Sequence, residues 1–114
     1  MITGSVKRRN SFYWLFSILF FINCSSDPAI HSPEAYTVEI KQMKFQPSEL
    51  VLQKGDTVIW INHDFIVHDV TEDPGKTWTS SAIQNGESWR MVVTESSNYF
   101  CNIHQVMKGK LLVK

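Results

Sequence analysis

The sequence is poor in cysteine, in unbalanced charge and in long apolar runs, and each shortage removes a class of protein. Two cysteines in 114 residues permit at most one internal disulfide, and they cannot build a two-metal or four-thiolate scaffold. Lysine and arginine number 11 and aspartate and glutamate number 11, so no surplus of positive charge exists to track a nucleic-acid backbone. The longest strongly apolar run, Phe12 to Ile22, covers 11 residues. A helix needs roughly 20 to span a bilayer, so this run is too short for a stable transmembrane segment. Beyond it there is no long stretch at helical spacing, no repeat and no low-complexity tract, which points to one small domain with little helix.

What is present begins with an address. Lys7, Arg8 and Arg9 precede the apolar run, the order of a secretory signal peptide. A short buried helix is the competing reading, but the basic head and the polar Ser/Asp/Pro stretch that follows fit export better. The run ends in Phe21-Ile22-Asn23-Cys24-Ser25-Ser26, which resembles a bacterial lipoprotein processing site, with Cys24 as the lipidated first residue. Asn23 and Phe21 stand where small residues and leucine are usual; ordinary signal cleavage and an uncleaved anchor are the alternatives. Acyl chains, not a spanning helix, would then hold the protein to a membrane surface. Processing before Cys24 removes Lys7, Arg8 and Arg9 and leaves 91 residues with eight Lys and Arg against 11 Asp and Glu, a formal charge of minus three. The expected organisation is a signal segment over 1–23, a lipidated cysteine and tether over 24–35, and a folded domain over 36–114. Pro28 and Pro33 mark the tether, and His31 within it is expected to be solvated and without a role.

The domain reads as all-β. Val38-Glu39-Ile40 and Met43-Lys44-Phe45 alternate around a bulge, as two short strands or one broken one, and Leu50-Val51-Leu52 resumes after Gln46-Pro47-Ser48-Glu49. Lys54-Gly55-Asp56 is a turn before Thr57 to Ile61, a β-branched and aromatic strand expected to be little exposed. Further strands are expected at Ile66 to Thr71, Ser88 to Thr94, Asn98 to Cys101 and Lys110 to Val113, separated by Asp73-Pro74-Gly75, Asn85-Gly86-Glu87 and Gly109. Short strands at this spacing describe a sandwich or barrel, with Phe45, Ile59, Trp60 and Tyr99 in its core. So small a core leaves marginal stability, which a metal bound only by the folded form would raise.

The chemistry gathers near the C-terminus. Cys101, His104 and Met107 lie within seven residues, between two expected strands, where a tight loop can aim a thiol, an imidazole and a thioether at one point. Thiolate and thioether are soft ligands, imidazole suits copper or zinc, and two histidines, one cysteine and a weak axial methionine make up a blue-copper centre. A second histidine is needed. His68, in Ile66-Val67-His68-Asp69-Val70, is the better candidate because the fold can hold it rigidly; His63 competes with it.

At these residues the chain resembles the small cupredoxins, the family that includes plastocyanin, pseudoazurin and amicyanin. The matching stretches are Phe45-Gln46-Pro47, Gly55 to Asn62, His68-Asp69-Val70 and Tyr99 to Gly109, and they run through nearly all of the chain after the tether. The C-x-x-H-x-x-M spacing of Cys101, His104 and Met107 is the short ligand loop, most similar to that of amicyanin. The resemblance implies a Greek-key β-sandwich, one copper ion held near one end by His68, Cys101, His104 and Met107, and single-electron transfer between copper(I) and copper(II). Three positions depart from the pattern: Asp69 where asparagine is frequent, and Val67 and Gln105 where proline is common. None removes a ligand. An inward-pointing Asp69 carboxylate would favour copper(II) and lower the reduction potential.

The expected protein is therefore an exported, lipid-anchored electron carrier of the periplasm or cell envelope, not an enzyme, because four ligands fill the coordination sphere. By the same resemblance His104 would present its ring edge to a redox partner within an apolar rim including Phe65, Ile103 and Val106. A monomer with a protein electron donor and acceptor and no nucleic-acid partner is expected. Copper storage or delivery is the alternative function, and a purely structural exported domain is the third.

Overall fold

The computed structural model describes residues 30–114 and, ahead of them, Gly4. The basic head, the apolar run and Cys24 lie outside the described residues. Eight strands follow: β1 (Ala35–Lys41), β2 (Lys44–Gln46), β3 (Glu49–Leu52), β4 (Thr57–Asn62), β5 (Thr71–Asp73), β6 (Ser88–Val92), β7 (Ser97–Phe100) and β8 (Lys108–Val113). They form two four-stranded mixed sheets, ordered β2-β1-β4-β6 and β3-β8-β7-β5. This is the expected Greek-key β-sandwich, cupredoxin-like in class, and no helix occurs among the described residues.

Local chemistry accounts for the path. Gln42 and Met43 both adopt left-handed backbone angles, φ 54° and 59°, and make a two-residue hairpin turn between β1 and β2 where a bulge was expected. Pro47 and Ser48 then carry the chain to the second sheet, where β3 lies parallel to β8. In β4, pairing parallel to β1 and antiparallel to β6, alternate side chains point inward. Val58, Trp60 and Asn62 are buried, while Thr57, Ile59 and Ile61 are only half-buried. Ile59 thus stands on the outer face, contrary to its expected place in the core, because the two-residue period gives the inner face to Val58 and Trp60. Val38, Ile40, Phe45, Trp60, Tyr99 and Leu111 fill the space between the sheets.

Three further expectations are corrected. The segment 66–71 is not a strand: β5 starts at Thr71, and the stretch before it makes one isolated bridge, His68 with Ile83. The Asn62 side-chain amide donates to the carbonyl oxygens of Ile66 and Ile83, each at 2.9 Å, and at Ile66 it stands where a neighbouring strand would pair. Gly109 lies inside β8, paired with Tyr99, and is not a turn residue. His31 is not solvated, since its Nε2 lies 2.6 Å from Oδ1 of Asp56, a buried carboxylate that also accepts from Glu34 N and Gln53 N.

Candidate metal centre

Two loops at one end of the sandwich carry the donors. The loop from Cys101 to Met107 leaves β7 and enters β8, and it closes on itself. Cys101 N donates to the Met107 carbonyl and Met107 N to the His104 carbonyl, both at 3.0 Å. Short spacing in sequence thereby becomes proximity in space. The second loop leaves β4 at Asn62. Its first turn is knit by the Asn62 side chain, whose Oδ1 accepts from Asp64 N at 2.9 Å while its amide holds Ile66 and Ile83. His68, fully buried, is fixed against Ile83 by reciprocal backbone hydrogen bonds.

The three strong donors converge. His68 Nδ1 stands 3.8 Å from Cys101 Sγ, His104 Nδ1 stands 3.9 Å from the same sulfur, and the two Nδ1 atoms are 3.2 Å apart. Among the described residues this is the one group of three His, Cys or acidic side chains with donor atoms all within 4.8 Å of one another. Three donors in a trigonal plane at about 2.0–2.3 Å from a first-row ion stand about 3.5–4.0 Å apart; both nitrogen–sulfur separations match that spacing, and the two nitrogens lie 3.2 Å apart, slightly inside it. Cys101 is fully buried, and its sulfur accepts from Asp69 N and His104 N, each at 3.4 Å. His104 is half-buried and lies nearest solvent. Met107 is 2% exposed and enters the hydrophobic core cluster beside Cys101. Two imidazoles, a thiol and a neighbouring buried thioether are the donor set that suits one copper ion.

His63, the competing histidine, is outside the group. Its side chain is half-exposed and its Nε2 faces Glu39 Oε1 at 3.6 Å. Asp69 is buried, and its Oδ1 accepts from Asn102 N at 2.7 Å and from the Thr71 hydroxyl at 3.0 Å. The carboxylate thus fastens the residue after Cys101 to the His68 loop.

One residue that sequence reasoning passed over is Asp64. Its Oδ2 lies 2.8 Å from His68 Nε2. Its place four residues before His68 was the available signal. Burial pushes its carboxyl up, but hydrogen bonds from Met43 N, His68 and Gln42 N outweigh burial and hold it below the usual carboxylate range.

Known proteins resemble this chain in sequence and fold. Residues 13–113 match the cupredoxin-like domain. Amicyanin of Paracoccus denitrificans is 30% identical over 86 residues, covering 70% of this chain and 66% of that protein. Amicyanin of Paracoccus versutus is 28% identical over 87 residues, covering 71% and 66%. The chain thus spans just under two thirds of the length of these relatives. The crystal structure of the Paracoccus versutus amicyanin superposes with a TM-score of 0.64 at 28% identity, over 70% of this chain and 81% of that one. A mutant amicyanin solved in its Cu(I) form gives 0.66 at 29%, over 70% and 82%. The sandwich, the two donor loops and a match over residues 13–113 agree, and the chain belongs to the cupredoxin-like domain family.

Proposed function

We propose that this protein is a type 1 copper protein that carries single electrons between redox partners, exported to the periplasm or cell envelope and held at a membrane by lipid on Cys24. The observation that carries the reading is the convergence of His68 Nδ1, His104 Nδ1 and Cys101 Sγ at 3.2 to 3.9 Å. Likeness to amicyanins, one of them solved as the Cu(I) form, supports it. His68, Cys101, His104 and, more weakly, Met107 would hold the copper. Copper, when bound, supplies a one-electron couple between its (I) and (II) states.

The residues of the chain do the rest. His68 is held by β4 and Ile83, and Cys101 by the end of β7, so the donors are set by sheet edges and are pre-organised for one geometry. The N–H groups of Asp69 and His104 point at the Cys101 sulfur and fix its position. His104 is the ligand nearest solvent, and exposed Ile103 and Val106 on its loop and Phe65 on the other offer an apolar approach for a partner. Buried Cys101 and His68 keep water from the deeper side of the site. A filled donor set of this kind fits a carrier better than an enzyme acting on a small substrate.

The test is the visible and electron paramagnetic resonance spectrum of the copper-loaded protein. Intense absorption with a narrow copper hyperfine pattern is expected, and Cys101→Ser should abolish the colour while the copper-free fold persists. Retention of the colour in that variant sinks the ligand assignment. Reversible cycling with an electron donor while copper stays bound is expected of a carrier; loss of copper at each reduction would establish delivery instead.

A further inference from the structure

We propose that Asp64 is a positioning residue that fixes the tautomer of His68 and biases the centre towards its oxidised form; this rests on the copper reading above. An aspartate carboxylate accepts hydrogen bonds and does not donate them, so the 2.8 Å contact places a proton on His68 Nε2. That leaves Nδ1, the nitrogen facing Cys101 Sγ and His104 Nδ1, as the free lone pair. The orientation of the donor is thus decided on the far side of the ring.

Asp64 is itself held from four directions. Gln42 N donates to Oδ1 at 2.8 Å and Met43 N to Oδ2 at 3.1 Å, so the left-handed hairpin turn between β1 and β2 aims two N–H groups at one carboxylate. Asn62 Oδ1 accepts from Asp64 N, and Asn85 Nδ2 donates to the Asp64 carbonyl at 2.7 Å. One side chain therefore ties His68 to the first sheet. A loop anchor alone would need only the turn contacts; the third contact, on His68, has a further effect. A carboxylate on the outer nitrogen makes an imidazole a stronger donor, and the more highly charged copper(II) gains more from that than copper(I).

Two measurements test the proposal. Proton-nitrogen correlation spectra of the copper-free wild-type protein are expected to place the His68 proton on Nε2; a proton on Nδ1 overturns the proposal whether or not any variant folds. In the copper-loaded protein, Asp64→Asn is expected to weaken copper(II) binding about 10- to 100-fold. Each tenfold loss not shared by copper(I) raises the reduction potential by about 59 mV. Asn85→Ala removes the bond to the Asp64 carbonyl without touching the carboxylate, and should shift the potential far less than Asp64→Asn does. An unchanged potential in Asp64→Asn, or an equal shift in Asn85→Ala, also overturns the proposal. A wild-type protein that never turns blue would instead overturn the copper reading, so the two failures are distinct.

Discussion

At Gly109 a single hydrogen atom decides how β7 and β8 pack. Gly109 is paired with Tyr99, and a Cβ there would overlap Cζ, Oη and Cε2 of the tyrosine ring. The ring has no room to move, since it packs edge-on against Phe45 at 4.8 Å and Trp60 at 5.5 Å. Gly109→Ala is expected to cost about 1–3 kcal/mol, read by urea denaturation of the copper-free protein. Asp56 is the second decisive residue. The Glu34 N–H aimed at it lowers its carboxyl to about 2, against the opposing effect of burial, with help from His31 and Gln53. Because the folded value lies below the ordinary one, its contribution to stability is full above the usual carboxylate range and is lost as pH falls through about 2. Asp56→Asn is therefore expected to be less stable than wild type at pH 7, with the gap closing between pH 4 and pH 2 in denaturation measured at each pH. Neither role was legible in the chain. Gly109 and Asp56 both look like turn residues, and only the neighbours that the fold brings to them give them other work. His68, Cys101 and His104 were legible, because their chemistry is unusual and two of them are three residues apart.

At the scale of elements, Asn62 shows how a strand end becomes a binding loop. It is the last inward-facing residue of β4, fully buried, and its side chain satisfies Asp64 N and the carbonyls of Ile66 and Ile83. Asn62→Ala leaves buried polar groups without partners, at a cost of about 1–3 kcal/mol for each group that water cannot reach. The same variant should bind copper more weakly, since His68 hangs on the segment these bonds hold, and titration with copper checks this. Strand positions along the chain were largely readable from alternation and turn chemistry, with most strand ends within two or three residues; their order in the two sheets was not. The stretch before Thr71 was misread for a physical reason. Ile66, Val67, His68 and Val70 have the composition of a strand, but the Asn62 amide occupies the carbonyl at Ile66 and leaves His68 a single bridge to Ile83. Periodicity reports which residues seek burial, and not whether a side chain has taken the place of a neighbouring strand.

On the scale of the whole molecule, the metal centre and the start of the domain lie at opposite ends of β4. Asp56, bound to His31, precedes its first residue and Asn62 is its last, six residues or about 20 Å away. On the proposed lipidation, Cys24→Ala should release the protein from membranes into the soluble fraction with its visible spectrum unaltered, since Cys24 is not among the proposed copper ligands. The small core has a second consequence. Copper that binds only the folded form adds stability by mass action, about 2.7 kcal/mol at a free concentration one hundred times Kd, so a chelator should lower the melting temperature measurably. The two cysteines that allowed one disulfide have separate assignments, Cys24 as the proposed lipid site and Cys101 as a buried member of the donor group. By itself the sequence determined the all-β class, the donor types and the loop that joins Cys101 to Met107, because alternation, side-chain chemistry and short spacing are local properties. Tertiary structure alone decided the distance at which His68 meets Cys101, the bond from Asn62 to the Ile83 carbonyl, and the pairing of His31 with Asp56. Each of those depends on atoms at least 21 residues apart in the chain, whose distance only the fold can set.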